Sequence, residues 1–305
     1  MKYIIHRFAT LLLLFLFLGA CSILPISSHE LGDTWTRPVD NMVMVYVPAG
    51  SFTIGTSIDA AKEAVNLCKE VKAYLGIAAC RFSSFVDEMP AHIVLLDGFW
   101  IDQHEVTNRQ YMQCVEAAAC EPPAEISSYT REAYYGDEAY DEYPVVWVTK
   151  DHAADYCAWV EARLPSEAEW EFAARGPESY RFPWGEEFDG TRLNFCDVNC
   201  ELGFADTSAD DGYEDTAPVG SYPSGESWCG ALDMAGNVRE WVADWFGYYA
   251  PEEQHNPQGP MDGTAYVPKG GSFFDPPDNI RSANRGGTTL DYVRHKVGFR
   301  CARTQ

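Results

Sequence analysis

The stretch Arg163-Leu-Pro-Ser-Glu-Ala-Glu-Trp-Glu-Phe-Ala-Ala-Arg-Gly176 carries the clearest structural signal in the chain. Ser166, followed three residues later by Glu169, forms a capping-box pattern, which starts a helix by satisfying its first free N–H groups. Phe172 falls on the face that would be buried, and Gly176 is the residue type that ends helices. The stretch therefore predicts a short helix with sharp ends and one buried face.

The sequence around this helix mixes short helical patterns with β-rich runs. Two β-rich runs within residues 42–54 flank a Pro-Ala-Gly turn and predict a pair of strands. Residues 59–75, 105–118 and 150–162 have helical spacing, whereas little helix is indicated after residue 176. This order predicts an α+β domain that is rich in loops and has little regular secondary structure.

Composition excludes several classes of protein. The chain has 305 residues, of which 46% are hydrophobic, so it can bury a sizeable core. Acidic residues outnumber basic ones by 46 to 22, which gives a net charge of −24. Phosphate would be repelled by this charge, so no nucleic-acid partner is expected. Because the long apolar run is confined to the N-terminus, a polytopic membrane protein is also excluded.

The N-terminus has the pattern of an export signal. A basic start precedes an apolar run, which ends in Leu18-Gly-Ala-Cys21. This ending resembles the lipobox of bacterial lipoproteins, so residues 1–20 are predicted to be a lipoprotein signal peptide. Cys21 is then the predicted lipidation site, residues 21–37 a tether and residues 38–305 the folded domain. The expected location is the cell envelope, outside the cytoplasm, with the acyl chains anchored in a membrane.

Cysteine usage agrees with an oxidising compartment, where disulfides persist. Nine cysteines follow Cys21, and an odd count leaves one thiol over, for which Cys229 is the candidate. A zinc site on one close pair is a weaker alternative, since no histidine lies near that pair in sequence. Three close pairs could each cross-link a local loop: Cys68 with Cys80, Cys114 with Cys120, and Cys196 with Cys200. The last of these is also the alternative zinc pair. Cys157 and Cys301 could connect distant segments.

Eight motifs in a fixed order resemble those of the sulfatase-modifying-factor domain, the fold of formylglycine-generating enzymes. The resemblance covers nearly the whole chain after the signal sequence. It implies a C-type-lectin-like α+β fold and a long-range disulfide between Cys157 and Cys301. In their order along the chain, the motifs are Met44-Val-Tyr-Val-Pro-Ala-Gly-Ser-Phe52, Asp102-Gln-His-Glu-Val-Thr-Asn-Arg-Gln-Tyr111, the stretch from Arg163 to Gly176 quoted above, Phe182-Pro-Trp-Gly185, Thr216-Ala-Pro-Val-Gly220, Asp233-Met-Ala-Gly-Asn-Val-Arg-Glu-Trp241, Gly270-Gly-Ser272 and Gly298-Phe-Arg-Cys301.

The resemblance also identifies what this chain lacks. Enzymes of the family oxidise a sulfatase cysteine to formylglycine with molecular oxygen, and they hold copper between two cysteines just after the Gly-Gly-Ser motif. Here that segment reads Phe273-Phe-Asp-Pro-Pro-Asp-Asn-Ile-Arg-Ser-Ala-Asn-Arg285, and no cysteine lies between Cys229 and Cys301. Because Cu(I) needs soft sulfur ligands, neither copper binding nor formylglycine formation is expected.

A second branch of the family uses iron for sulfoxide synthesis. It needs an additional N-terminal helical domain that carries histidines, for which residues 22–41 leave no room. His92, His104 and His152 are scattered and lack the spacing of metal ligands. Iron is therefore not expected either.

Calcium is the cofactor that the resemblance implies, in a structural role. Hard cations of this kind prefer carboxylate, amide and carbonyl oxygens, which both motifs below supply. In one family site the ligands are side chains at Asp233 and Glu240, with the carbonyls of Gly236 and Val238. The second site maps onto the side chains of Asn194 and Asp211 and the carbonyls of Phe195 and Tyr213.

Residues 271–298 lie where the family places its active-site surface. This polar, turn-rich segment predicts a ligand-binding face for a protein or a glycan. The candidate residues are Asp275, Asp278, Asn279, Arg281 and Arg285.

Three functional classes follow. The first is a surface-anchored, non-catalytic binding or scaffold lipoprotein, and this is the class that the sequence favours. The second is an oxidoreductase of the same family with altered chemistry that uses Cys229. The third is an accessory factor for the maturation of another exported enzyme.

Overall fold

The computed structural model describes residues 29–71, 80–289 and 292–304. The predicted signal peptide and Cys21 lie outside the described residues. None of the helices in the described ranges has the length and apolar character needed to cross a membrane. The elements are β1 (Thr34–Thr36), β2 (Val43–Val47), β3 (Gly50–Ile54), α1 (Ile58–Val71), β4 (His92–Leu96), β5 (Phe99–Asp102), α2 (Asn108–Glu116), α3 (Lys150–Trp159), α4 (Glu167–Arg175), β6 (Arg239–Trp245), β7 (Gln254–His255), β8 (Tyr266–Lys269), β9 (Val297–Phe299) and β10 (Ala302–Thr304).

The strands form three small sheets, and the predicted α+β class is confirmed. One sheet has the order β1-β2-β5-β10, a second β3-β4-β7 and a third β8-β6-β9. Long loops with short 3₁₀ turns join these sheets, above all between α4 and β6. The sheets and helices therefore act as a frame that holds irregular segments in place.

The two strands predicted within residues 42–54 exist, but they do not pair with each other. β2 pairs antiparallel with β1 and β5, whereas β3 pairs with β4 in another sheet. Four of the five residues of β2 are buried. A strand that is covered on both faces belongs in the middle of a sheet, so both of its edges take other partners. The prediction of a strand pair was therefore right in its elements and wrong in its pairing.

The folded domain begins before residue 38. β1 lies within the predicted tether and pairs with β2 through residues Thr34–Thr36. Next to it, the buried guanidinium of Arg37 contacts Asp40 at 2.6 Å and Asp102 at 2.9 Å. The predicted boundary between tether and domain is thus too late, because the last residues assigned to the tether belong to a sheet and an ion-pair network.

Helix α4 forms as its sequence predicts. The Ser166 hydroxyl accepts a hydrogen bond from the N–H of Glu169, and the Glu169 carboxylate accepts one from the N–H of Ser166. Phe172 is buried, and Gly176 ends the helix with φ of 69°. All nine residues of the helix are buried, so α4 runs through the interior and carries acidic side chains there.

The four predicted disulfides are present, and Cys229 is the one free cysteine in the described residues. Cys157 on α3 is joined to Cys301, which lies between β9 and β10. The alternative of a zinc site is wrong, because the sulfurs of Cys196 and Cys200 are bonded to each other.

The bond between Cys68 and Cys80 differs in one respect from the prediction that it staples a loop. Cys68 lies within α1, so the bond ties Cys80 to a helix rather than closing a loop between two irregular segments. Both cysteines are buried, and they pack with Ala61 and Phe85 in a small core beneath α1. The part of the predicted helix beyond residue 71 lies outside the described residues. Cys80 therefore fastens the chain that follows α1 to the buried face of this helix.

Candidate functional site

Three buried carboxylates meet one buried arginine where β6 and β9 approach the start of α2. They belong to Glu105, Asp233 and Glu240, and the arginine is Arg300. Three acids against one base leave the cluster short of positive charge if all of them ionise. Buried charges of this kind require compensation, because water cannot supply it.

The negative charge of the Glu240 carboxylate is neutralised by a group of the chain itself. Arg300 donates to both of its oxygens at 2.7 Å, and the indole N–H of Trp170 donates to one of them at 2.8 Å. This two-pronged ion pair occupies the carboxylate that was predicted to bind calcium. Glu240 is therefore first a partner of Arg300, which the sequence-based ligand set did not anticipate.

Glu105 is the exception in the cluster. Its side chain is 0% exposed, and neither carboxylate oxygen has a hydrogen-bond partner within the described residues. Burial raises the pKa of Glu105 well above its usual value, and Asp233 and Glu240 raise it further. Asp233 is also buried and accepts one hydrogen bond, from the N–H of Gly220 at 2.6 Å. These two carboxylates require either a shared proton or a cation between them.

The second predicted calcium set is only partly satisfied by the chain itself. The side-chain oxygen of buried Asn194 has no hydrogen-bond partner in the described ranges. The Asp211 carboxylate accepts hydrogen bonds from the N–H groups of Phe195 at 2.8 Å and Tyr213 at 2.9 Å. Burial raises the pKa of Asp211 to about 7, and neighbouring acids add to the effect. An unused amide oxygen and a carboxylate in acidic surroundings are donors that fit a hard cation.

The two sets adjoin each other. The Asn194 carbonyl accepts the N–H of Asn237 at 2.9 Å, and a Cβ on Gly236 would lie only 2.1 Å from that carbonyl oxygen. Glycine is therefore required where the two loops touch. In the described residues, no three His, Cys, Asp or Glu side chains converge well enough to hold a metal by themselves. A cation here would depend on amide and carbonyl oxygens as well, and the residues present fit that requirement.

The predicted ligand face at residues 271–298 is not formed by its five candidate residues. Asp275, Asp278, Arg281 and Arg285 are buried, and Asn279 is only partly exposed. The Arg281 guanidinium donates to both oxygens of the Glu88 carboxylate at 2.7 and 2.8 Å. Arg285 makes the same two-pronged contact with Glu167 at 2.6 and 2.8 Å. The prediction of these charged side chains as a surface was wrong, because buried counter-charges hold them inside.

Asp275 occupies the segment in which family enzymes carry their copper cysteines. Its carboxylate accepts two hydrogen bonds from Arg239, at 2.8 and 3.0 Å, and one from the Ser272 hydroxyl at 2.6 Å. Burial alone would raise the pKa of Asp275, but Arg239 and Lys296 outweigh it and hold the pKa at about 2. The segment thus contains a carboxylate that is ionised at neutral pH and accepts hydrogen bonds on both oxygens.

Aromatic side chains surround the outer side of this segment. Tyr129, Trp147, Phe274 and His295 form what we call the aromatic rim. Tyr129 lies 4.8 Å from Phe274 and 5.1 Å from His295, and His295 lies 5.8 Å from Trp147, measured between ring centroids. The indole N–H of Trp147 and Nε2 of His295 have no hydrogen-bond partner in the described residues. Sequence reasoning missed this rim, because its members come from separate segments of the chain.

Cys229 lacks the features of a reactive thiol. It is buried, and its sulfur contacts the Ser227 hydroxyl at 3.3 Å and the Ala173 carbonyl at 3.4 Å. Burial raises the pKa of the thiol above its ordinary value. Because the thiolate is the nucleophile and the metal ligand, this environment disfavours redox or nucleophilic chemistry at Cys229.

Glu105 is the residue of the centre that sequence reasoning missed. It lies in the motif Asp102-Gln-His-Glu-Val-Thr, directly before helix α2 and its capping residue Thr107. A glutamate between His104 and Val106 reads as an ordinary flank of a helix start. Only the fold places it against Asp233, which is far away in sequence.

Comparison with known proteins gives matches over nearly the whole described chain. Residues 31–305 match the model of the sulfatase-modifying factor enzyme 1-like domain. The serine/threonine-protein kinase pkn1 of Chlamydia caviae is 36% identical over 71% of this chain, which matches 35% of the kinase. The formylglycine-generating enzyme of Thermomonospora curvata is 34% identical over 70% of this chain and 85% of its own length. The inactive C-alpha-formylglycine-generating enzyme 2 of Bos taurus is 30% identical over 85% of this chain and 87% of its own length.

Solved structures agree with these relatives. PvdO from Pseudomonas aeruginosa superposes with a TM-score of 0.68 at 26% identity, over 91% of this chain and all of that one. The Treponema denticola variable protein 1 superposes with a TM-score of 0.65 at 18% identity, over 90% of this chain and 99% of its own, and shares the fold. The chain spans about a third of the length of the chlamydial kinases that it matches. On the match over residues 31–305, the chain belongs to the sulfatase-modifying-factor family, whose formylglycine-generating enzymes it resembles in sequence and fold.

Proposed function

We propose that this chain is a membrane-anchored, non-catalytic member of its family that acts as a binding or scaffold module. The observation that carries the proposal is the environment of Asp275, where Arg239 and Ser272 donate hydrogen bonds to both oxygens of the carboxylate. A carboxylate engaged in this way does not substitute for thiolates as a Cu(I) ligand. The similarity to a bovine protein whose name calls it inactive supports the same direction.

Catalysis is tested with a peptide that carries the sulfatase cysteine motif. The purified chain is incubated with the peptide, Cu(I) and oxygen, and the mass of the peptide is measured. We expect no conversion of the cysteine to the aldehyde, while a formylglycine-generating enzyme under the same conditions converts it. Conversion by this chain would overturn the non-catalytic role.

The aromatic rim is the surface that we propose for the partner, a protein or a glycan. Aromatic side chains supply large contact areas, and Tyr129, which is 39% exposed, is the member of the rim most open to solvent. Substitution of Tyr129 by Ala removes this ring from the surface. We expect this variant to lose partner binding while its thermal unfolding stays unchanged. Full binding by variants that lack both Trp147 and Tyr129 would contradict the rim as the interface.

The proposed cofactor is calcium, in a structural role. Asn194 and Asp211, with the carbonyls of Phe195 and Tyr213, would hold one ion. Asp233 and Glu105, with the carbonyls of Gly236 and Val238, would hold the other. When bound, the ions would neutralise buried acids and link loops that few strands stabilise. The thermal unfolding midpoint should fall when a chelator removes calcium and recover when calcium is returned. An unchanged midpoint would remove calcium from the proposal.

The proposed anchor is the acylated side chain of Cys21. Its location in the cell envelope follows from the same motif. Replacement of Cys21 by Ser should move the full-length protein from the detergent phase to the aqueous phase in a phase-partition experiment. Unchanged partitioning of C21S would contradict lipid anchoring.

A further inference from the structure

A cleft with no assigned role opens beside the C-terminal end of β6. Its volume is about 340 Å³, which falls in the range of small-molecule sites. Strands β3, β4 and β7 and the first turn of α4 contribute to its walls. The lining contains aromatic rings, amides and two carboxyl groups, those of Glu167 and Asp244, and it includes Trp245, Tyr248, Tyr249 and Gln258.

Asp244 is the polar group on which the cleft centres. One of its oxygens accepts the N–H of Glu167 at 2.8 Å, at the first turn of α4. In the ranges that the structure describes, the other oxygen, Oδ1, accepts no hydrogen bond. The loop at Gly259 approaches it so closely that a Cβ there would lie 2.8 Å from Oδ1, and Gly259 has φ of +65°. The buried carboxyl therefore presents one unused acceptor at the cleft.

Two cations, Lys150 and Arg285, act on Asp244 from nearby. Lys150 has its ammonium 4.3 Å from the centroid of the Tyr266 ring. The positive charge of Arg285, which also lines the cleft, is balanced by its ion pair with Glu167. The pKa of Asp244 is raised to about 7, mainly by burial and also by Glu167 and Glu169, against an opposing effect of Arg285. Burial likewise raises the pKa of the Tyr249 hydroxyl, and neighbouring glutamates add to it. Burial is the largest cause of both shifts, because it disfavours the charged form of an acid.

Aromatic rings stand next to this carboxyl. Tyr248 and Trp245 both line the cleft, and Tyr248 is 76% exposed. Tyr249 already has the Arg285 guanidinium over its ring, at 4.2 Å from the centroid, so a cation is accommodated against an aromatic face in this same region. A carboxylate beside aromatic faces is an arrangement that recognises organic cations by charge and by cation–π attraction.

We propose that this cleft binds a small organic ammonium ion of the alkylammonium class, with Asp244 as its counter-ion and Tyr248 and Trp245 as its aromatic wall. An anionic ligand would meet the unpaired carboxyl, and a purely apolar one would leave that acceptor unsatisfied. The net charge of −24 on the chain also favours the approach of cations. The proposal goes beyond the binding role proposed above and does not depend on the lipid anchor or on calcium.

The experiment compares two ligands of the same shape by calorimetric titration of the purified chain. Choline carries a quaternary ammonium group, and 3,3-dimethyl-1-butanol is its neutral carbon counterpart. Choline should bind at least about tenfold more tightly than the alcohol, because only the cation gains from Asp244 and the rings. Asp244→Asn should weaken choline binding about tenfold, and Tyr248→Leu should weaken it several-fold.

Asp262→Asn is the matched control, since it removes the same charge from an exposed position that does not line the cleft. Its affinity for choline should equal that of the unmodified chain. Tyr248 is exposed, so its substitution decides the matter even if the Asp244 variant fails to fold. Three results would each overturn the proposal: equal affinity for the two ligands, no binding of choline at millimolar concentration, or unchanged affinity for choline in the Tyr248 variant. None of these results would affect the test of catalysis.

Discussion

Glu105 is a buried carboxyl whose oxygens have no hydrogen-bond partner in the described residues. In the absence of a cation it stands against Asp233, and burial and repulsion both disfavour its ionised form. Its neighbour Glu240 shows the contrast, because Arg300 neutralises that carboxylate within the chain. The two glutamates are equally buried, but only one has a counter-charge that the sequence encodes.

Substitution of Glu105 by Gln should therefore have opposite effects in the two calcium states. Without calcium, the variant should unfold at a higher temperature than the unmodified chain, because one buried acid has been removed. With calcium, the stabilisation by the ion should be smaller, because one anionic oxygen is lost. Thermal unfolding with chelator and with calcium measures both effects. Glu116→Gln, on the exposed side of α2, is the control and should change neither. An E105Q variant that gains full calcium stabilisation would contradict the role of this carboxyl.

Asp244 gives a prediction about pH. Its pKa is about 7 in the folded chain and about 4 when unfolded, so the folded state binds its proton more strongly. The contribution of this group is therefore favourable at low pH and is lost as pH rises from about 4 to about 7. The charged groups that act on it are Glu167 and Glu169 on α4, Arg285, and Lys150 on α3.

In Asp244→Asn this pH dependence should be absent. As pH rises from about 5 to about 8, the free energy of unfolding of the variant should increase relative to that of the unmodified chain. Urea unfolding at several pH values measures the difference, and other titrating groups cancel in the comparison. A difference that stays constant over this interval would contradict the raised pKa of Asp244.

Single residues also show how far sequence reasoning reaches. The three short-range disulfides were predictable from the spacing of their cysteines, and the pairing of Cys157 with Cys301 was implied by the family resemblance. The partners of Asp275 and Arg281 were not predictable, since Arg239 and Glu88 lie 36 and 193 positions away in sequence. A charged residue in a turn-rich segment predicts exposure unless a distant counter-charge is known, and only the fold supplies that knowledge.

Among the elements, α4 was the most predictable because its start and end are encoded locally. Ser166 and Glu169 bond each other across its first turn, and Gly176 stops it. The pairing of β2 and β3 was less predictable, because the short connection between them suggests a hairpin. Pairing depends on which neighbours cover a buried strand, and that information is distributed over β1, β4 and β5.

The capping box of α4 should be measurable as an independent contribution. Ser166→Ala removes the acceptor for the N–H of Glu169 and should lower the free energy of unfolding by about 1 kcal/mol. Urea unfolding at constant pH measures the loss. Ser224→Ala is a matched control at an exposed position that caps no α-helix, and it should change stability little. Equal losses in the two variants would show that the cap contributes nothing specific.

At the scale of the whole molecule, three small sheets and long loops leave much of the backbone outside regular ladders. The disulfides and the buried ion pairs link those loops, and the two proposed calcium sites would link them further when occupied. The bond between Cys157 and Cys301 is the longest-range of the covalent links in the described residues, with a separation of 144 residues, whereas Cys114 and Cys120 are separated by 6. A cross-link that closes a longer loop removes more conformational entropy from the unfolded chain.

Removal of these two disulfides should therefore have unequal effects. Replacement of both Cys157 and Cys301 by Ala should lower the free energy of unfolding by about 5 kcal/mol, and the same change at Cys114 and Cys120 by about 2 kcal/mol. Both pairs are buried, so the lost side-chain contacts are comparable and the difference reports mainly on loop length. Chemical unfolding of the two double variants measures it, with each stability extrapolated to water. Equal losses of stability in the two double variants would contradict this prediction. They would show that these bonds stabilise the fold by local packing around the sulfurs, and not by linking α3 to the C-terminal strands.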